Sequence, residues 1–244
     1  MNKLIKQARD LFKDAGFDHA ICGGYALDLF AGRQLRKHGD LDLCFYQQDM
    51  PQVLQYLLDR NWPIYGREGG WDELRAKQFI FYNITNASDP ELKDFGFWAV
   101  KPGGWMEMIP LPRASAHTFL YKNHGFKDDE FTFIELAFNC KEDDEYVLLA
   151  NPRITRHISK AILYADGVPY LAPEITLFFK TDEWSATNAY LRPKMITDFQ
   201  AVMPLMNDEQ KAWLMTAINH AYGGHTPWLD EALMGVAYPE GCEV

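Results

Sequence analysis

The sequence predicts an α+β fold: a mixed-sheet domain over residues 1–152 and a helical C-terminal domain over 153–244. Three observations carry this reading. Short apolar or alternating runs, bounded by Gly, Pro and Asn, crowd the first part, which is the pattern of strands. From about Thr155 the apolar residues recur at helical spacing. Near the start, the run Ile21 to Leu43 passes from a strand-like segment through Gly23-Gly24 into a helix-like one. It then reaches a second strand that bears Asp40 and Asp42.

The elements follow in order. Leu4, Ile5, Ala8, Leu11, Phe12 and Ala15 share one helical face, and Gly16 can cap that helix. Phe17 to Cys22 reads as a strand. From Tyr25 onward, Ala26, Leu27, Leu29 and Phe30 suit a buried helix that Gly32 can end. Asp40 to Phe45 alternates and then turns apolar, so Asp40 and Asp42 leave one face of a strand while Leu41 and Leu43 leave the other. Asp49-Met50-Pro51 opens a helix carrying Val53, Leu54, Leu57 and Leu58 that ends near Asn61. Strands are expected at 78–84, 95–101, 105–109, 131–138 and 146–149, with Pro102-Gly103-Gly104 as a hairpin turn. Pro173 suits the first turn of a helix that carries Ile175, Leu177, Phe178, Phe179 and Lys180. Met206 to Gln210 reads as a cap before a helix bearing Trp213, Leu214 and Ala217.

Composition sets limits on function. With 244 residues, the chain can hold one large domain or two small ones. Its net charge of −10 argues against a nucleic-acid binder, which normally presents a basic face. The same charge suits a cationic small-molecule partner through long-range attraction. Cys22, Cys44, Cys140 and Cys242 form no CxxC pair, so a structural zinc is not expected. Met1 to Ala15 is amphipathic and charged rather than a secretory leader, and no run is long and apolar enough to span a membrane. A reducing, cytoplasmic location is the expectation. His19, His117, His124, His157, His220 and His225 show no ligand spacing, and the acidic runs Asp128 to Glu130 and Glu142 to Glu145 read as solvated loops.

The chemistry concentrates between Ile21 and Leu43. A helix start has unpaired N–H groups and a partial positive charge, so Gly23 and Gly24 at such a start can admit a phosphate chain close to the backbone. Asp40 and Asp42 on one strand face repel each other unless a cation sits between them, and Mg²⁺ favours a few carboxylates together with substrate phosphates. Arg33, Arg36, Lys37 and His38 lie between the two motifs. They can offset triphosphate charge or form a solvated basic loop. Arg33 and Arg36 are the better phosphate partners because guanidinium matches phosphate geometry. Lys180 reads either as a phosphate contact or as a solvated lysine.

The run GGYALDLFAGRQLRKHGDLDL resembles the signature of the nucleotidyltransferase superfamily of DNA polymerase β, in its aminoglycoside 2″-O-nucleotidyltransferase-like and lincosamide nucleotidyltransferase branch. The pattern falls on Gly23, Gly24, Tyr25, Ala26, Leu27, Asp28, Gly32, Arg33, Arg36 or Lys37, His38, Asp40 and Asp42, with Tyr25 where Trp is commoner. A second resemblance runs from Pro169-Tyr170-Leu171-Ala172-Pro173-Glu174-Ile175 through Lys180, Arg192-Pro193-Lys194 and Asp198-Phe199 to Trp213-Leu214. Met195 stands where relatives commonly carry an acid. Residues 46–130 match poorly, and there an acceptor pocket is expected to vary.

The resemblance implies a nucleotidyltransferase core and a third carboxylate on a later strand. Glu135, isolated in the apolar run Phe131 to Phe138, is the candidate for that acid, with Glu107 behind it. It would serve as metal ligand, general base or both; the other reading is a strand residue paired with a cation. The expected site is then Asp40, Asp42 and Glu135 as catalytic and metal-holding acids. Gly23, Gly24, Arg33, Arg36, His38 and Lys180 would hold the nucleotide. The implied reaction is Mg²⁺-dependent transfer of a nucleoside monophosphate, AMP from ATP, to a hydroxyl of a small, aminoglycoside-like acceptor. The alternatives are a lincosamide acceptor, a protein or tRNA acceptor, and a non-catalytic nucleotide-binding module.

Overall fold

The computed structural model describes residues 2–38, 40–68, 80–89, 96–104, 106–110, 118–123, 133–149, 151–181 and 192–223. Several expectations lie outside the described residues: Trp105, the strand starts at Gln78, Phe95 and Phe131, the run Asp128 to Glu130, His117, His124, His225 and Cys242. In chain order the elements are α1 (Lys3–Phe12), β1 (His19–Cys22), α2 (Gly23–Ala31), β2 (Leu41–Tyr46), α3 (Met50–Leu58), β3 (Ile64–Glu68), β4 (Ile80–Ile84), β5 (Gly96–Val100), β6 (Met106–Pro110), β7 (Thr118–Asn123) and β8 (Phe133–Glu142). They continue with β9 (Glu145–Val147), β10 (Thr155–His157), α4 (Ile158–Ala161), β11 (Ile162–Ala165), β12 (Val168–Leu171), α5 (Pro173–Phe178), α6 (Arg192–Val202) and α7 (Asp208–Tyr222).

These elements form two compact units. One comprises Met1–Ile21 and His38–Asp143, the other Cys22–Lys37 and Asp144–Val244. The division differs from the expected boundary near residue 152, because the segment bearing α2 groups with the C-terminal half.

The first unit is built on a mixed sheet in the order β1-β2-β8-β5-β3-β4-β7-β6. β2 and β8 run parallel, and the pairings from β8 outward to β6 are antiparallel. Register and strand alternation separate the two faces. Leu41, Ile134, Ala99, Ile64 and Ile84 are successive cross-strand partners and form one wholly apolar row. Leu43, Leu136 and Phe97 begin a parallel row on the same face. Helices cover that side: Phe12 of α1 meets Phe45 of β2 at 5.6 Å and stacks on Tyr56 of α3 at 5.8 Å. Phe138 packs on both Phe45 and Phe97. α1 buries Leu4, Ile5, Ala8 and Phe12 of the stripe read from sequence and ends at Phe12, before the expected Ala15 and its Gly16 cap. The expected α+β class with a mixed sheet is borne out.

Two local expectations need correction. Lys101 to Gly104 does make a turn, with Gly103 at φ +65° and the Gly104 N–H donating to the Lys101 carbonyl. Among the described residues it joins no hairpin, however, since β5 pairs with β8 and β3 while β6 pairs with β7. The chain also does not turn helical at Thr155. In the second unit β10 pairs with β9, and β11 with β12, before the helices α5, α6 and α7. The β11–β12 hairpin turns on Asp166 (φ +50°) and Gly167 (φ +77°), the double positive φ of a two-residue turn that Asp-Gly favours.

α7 starts with a reciprocal cap. The Gln210 N–H donates to the Asn207 side chain at 2.9 Å, and the Asn207 N–H donates to the Gln210 side chain at 3.1 Å. Gln210 also donates to Glu174 of α5 at 2.9 Å. Glu174 is fully buried and receives Arg156 of β10 at 2.8 Å. Burial lifts the Glu174 carboxyl above its ordinary range, against the pull of its own backbone and of Arg156. The cap, the ion pair and the hydrogen bond thus lock β10, α5 and α7 into one core.

Candidate functional site

The row of the sheet between the two apolar rows carries the chemistry. Asp42 of β2 faces Glu135 of β8 in register; Glu135 faces Trp98 of β5, and Trp98 faces Tyr65 of β3. Register partners on neighbouring strands lie roughly 5 Å apart and leave the sheet on one face. Two carboxylates therefore stand side by side with two aromatic residues beyond them. Asp42 and Glu135 are half-buried, whereas Trp98 and Tyr65 are buried. The sequence alternation positions all four: each lies between residues committed to the helix-covered face, such as Leu41 and Leu43 for Asp42, or Ile134 and Leu136 for Glu135.

Trp98 stacks on Phe133 at 4.4 Å and meets Phe81 at 4.7 Å, so the acids border a dense aromatic cluster. Burial pushes the Tyr65 hydroxyl above its ordinary range, so it stays protonated. Asp40 is exposed and immediately precedes β2, which begins at Leu41 rather than at Asp40. His38 is buried.

Among the described residues, no three His, Cys, Asp or Glu side chains gather into a metal-holding group by themselves. Like charges facing each other in register disfavour one another, and a divalent cation is a partner that relieves this. An ion that takes one or two carboxylates and completes its shell with phosphate oxygens and water fits the Asp42–Glu135 pair. A closed four-ligand ion does not.

The second unit holds the remaining expected residues. β1 leads directly into α2, whose first residue Gly23 has φ +61°, a conformation that glycine adopts without strain. Gly24 is buried. Gly32 ends α2 in the left-handed conformation, its N–H donating to the Leu29 carbonyl. The buried Asp28 accepts the Leu35 N–H at 2.8 Å and so ties down the loop that follows. Arg33 is exposed in this loop. Arg36 grips Asp198 of α6 at two points, Nε to Oδ1 at 2.8 Å and Nη2 to Oδ2 at 2.9 Å. Lys180, expected within a helix, lies just past the end of α5, and its Nζ stands 3.2 Å from Asp198 Oδ2. The structure thus brings Arg36 and Lys180 together on one buried carboxylate. Asp198 entered the sequence reading only within the Asp198-Phe199 part of the second resemblance and was given no role there, since a helix acid gains one only once its partners Arg36 and Lys180 are known.

The family model for aminoglycoside-2''-adenylyltransferase matches residues 4–67. That span contains the whole Gly23 to Asp42 motif, and the resemblance read from it is borne out; the 169–214 stretch lies beyond the match. No curated protein matches the chain. Among solved structures, the solution structure of the antibiotic-resistance factor ANT(2'')-Ia is similar at 14% identity and TM-score 0.49, covering 90% of this chain and 91% of that one. Lincomycin-bound LnuA, a lincosamide antibiotic adenylyltransferase, is similar at 16% identity and TM-score 0.47, covering 84% and 98%. An antigenic nucleotidyltransferase-like protein from Paracoccidioides brasiliensis is similar at 16% identity and TM-score 0.41, covering 98% and 94%.

Proposed function

We propose that the protein is a nucleotidyltransferase that moves AMP from ATP to a hydroxyl of a small acceptor. The observation that carries this reading is the register pairing of Asp42 with Glu135 on adjacent parallel strands. Transfer needs a proton acceptor beside the metal-holding Asp-x-Asp, which nucleotide binding alone does not, and the pairing of Glu135 with Asp42 supports that role for Glu135. The family match over 4–67 supports the same reading.

In the first unit, Asp42, with Asp40 beside the strand, is assigned to hold Mg²⁺, which when bound would neutralise charge on the triphosphate. Glu135 is assigned to accept the proton of the acceptor hydroxyl and can share in holding the ion. The acceptor oxygen then bonds to the α-phosphorus, the bond from that phosphorus to the bridging oxygen breaks, and pyrophosphate leaves. In the second unit, Gly23 and Gly24 are assigned to the phosphate chain, with Arg33, Arg36 and Lys180 supplying positive charge; His38 of the first unit is assigned to the nucleotide as well. Positioning and charge neutralisation supply most of the rate in such transfers. A cationic, aminoglycoside-like acceptor is the preferred class, since the chain's net charge of −10 attracts it.

The test is pyrophosphate release with Mg²⁺ and each nucleoside triphosphate, against a panel of aminoglycosides and lincosamides. The expected result is acceptor-dependent release that disappears in Asp42→Asn. Release that persists in both Asp40→Asn and Asp42→Asn would refute the assignment of the acids.

A further inference from the structure

We propose that the acceptor reaches Glu135 over Ala137 and Gly96, which makes Ala137 a specificity-determining residue for the reaction. This inference rests on the nucleotidyltransferase reading and deepens it by assigning the side from which the acceptor comes.

The observation that carries it is a pattern of burial. β2, the part of β8 from Phe133 to Asn139, and β5 form one continuous ladder. Within it every residue is buried except Asp42, Glu135, Ala137 and Gly96, which are partly exposed. These positions adjoin. Asp42 and Glu135 are register partners, Ala137 follows Glu135 by two residues on the same face, and Gly96 is the register partner of Ala137. This part of the sheet is thus open at a single connected patch. The two acids make one half of it and two small residues the other. Ala99 of the same ladder, by contrast, is buried on the helix-covered face.

The other approaches to Glu135 are closed. Phe133, on the same strand and face, is buried, and so are Trp98 and Val100 across the ladder. Trp98 has Phe133 at 4.4 Å and Phe81 at 4.7 Å, so its ring is wedged and cannot swing aside without displacing them. Asp42 fills the remaining neighbouring position and is assigned to the metal and the triphosphate. The hydroxyl that gives its proton to Glu135 therefore arrives over Ala137 and Gly96. Ala137 lies roughly 7 Å from Glu135 along the strand. Alanine and glycine are poor strand formers, so two of them facing each other weaken the sheet. What they provide is clearance. A ring can lie against the backbone there with the hydroxyl at its edge beside Glu135, where a larger side chain would stand in its place.

The test is acceptor KM and ATP affinity for the full-length wild type, Ala137→Ser, Ala137→Val and Ala137→Leu. Acceptor KM is read from pyrophosphate release with ATP and Mg²⁺, using the same panel of aminoglycosides and lincosamides; ATP affinity is measured calorimetrically without acceptor. The inference predicts that Ala137→Leu raises acceptor KM roughly tenfold or more, the scale on which a pocket senses a methylene or two, while ATP affinity holds. Ala137→Val should fall between, and Ala137→Ser should stay near wild type. Valine suits a strand, so Ala137→Val carries the test if Ala137→Leu does not fold. An acceptor KM unchanged in the Val and Leu variants would overturn the proposal. So would equal losses of acceptor and ATP binding, the mark of a merely structural residue. Wild-type protein that releases no pyrophosphate with any member of the panel would instead remove the transferase reading, and this inference with it.

Discussion

At the scale of residues, the account turns on a few buried or half-buried acids with different duties. Asp42 and Glu135 face each other in register, so one of them serves poorly as a mere packing residue. Replacing Glu135 with Gln should lower turnover by roughly 10²–10⁴, the usual contribution of a general base, while stability stays within about 1 kcal/mol of wild type in urea titration. A variant with near-normal turnover would sink the base assignment. Glu174 has the opposite duty: it is a structural acid. Arg156→Met should cost about 3–5 kcal/mol because it leaves a buried carboxylate short of its cation, and Arg156→Met with Glu174→Leu should recover much of that loss. Asp198 and Glu174 also differ in sign with pH. The folded-state value of Asp198 is lowered, so its stabilisation is present above the ordinary carboxylate range and fades as pH falls through it. Glu174 is raised, so its contribution is present at acid pH and fades as pH rises through its folded value. Asp198→Asn should therefore flatten the acid limb of a stability–pH curve, and an unchanged limb would contradict the pairing. The strand position of Asp42 was legible from sequence because an acid at alternate spacing in an apolar strand stands out. Asp198 was not, because a helix acid gains its meaning from Arg36 and Lys180, far away in the chain.

At the scale of elements, local rules explain what was readable. Gly32, the apolar stripe of α1, Pro51, Pro173 and the Asn207–Gln210 box each mark an end or a face by short-range chemistry, and each element lies where those marks put it. The strands missed in the sequence reading lacked such marks or had them overruled. β3 contains Gly66, whose added Cβ would collide with the ring of its cross-strand partner Tyr82, and a mid-strand glycine reads as a break. The Asp166-Gly167 turn was a readable hairpin signal between two apolar runs, but the helical pattern around it carried the reading. Gly167→Ala should cost about 1–2 kcal/mol, since a Cβ in the left-handed region is strained. Asn207→Ala should cost about 1 kcal/mol through the lost cap, whereas Gln210→Ala should cost more because it also strips a donor from Glu174. Equal losses in the two cap variants, measured by urea midpoint, would mean that the Gln210–Glu174 bond adds nothing.

At the scale of the whole molecule, charge and reaction class make the remaining claims. No helix among the described residues is long and apolar enough to cross a membrane. A net charge of −10 should draw a polycationic acceptor and repel ATP. Raising salt from about 0.05 to 0.3 M shortens the reach of those fields. It should lower kcat/KM for a cationic acceptor severalfold while leaving ATP unchanged or improved; a flat response for both would favour a neutral acceptor such as a lincosamide. The acceptor itself was not legible in the sequence, because residues 46–130 carry no motif that names one. The resemblance to an adenylyltransferase motif was, because its residues lie at fixed spacing within the matched span 4–67. The most direct measurement of the central claim is the mass of the acceptor after incubation with ATP and Mg²⁺, for wild type, Asp42→Asn and Glu135→Gln, with ATP binding followed in parallel. The account predicts an acceptor heavier by one AMP with wild type alone, and ATP binding retained in Glu135→Gln. An adenylylated acceptor formed equally by all three proteins would contradict it.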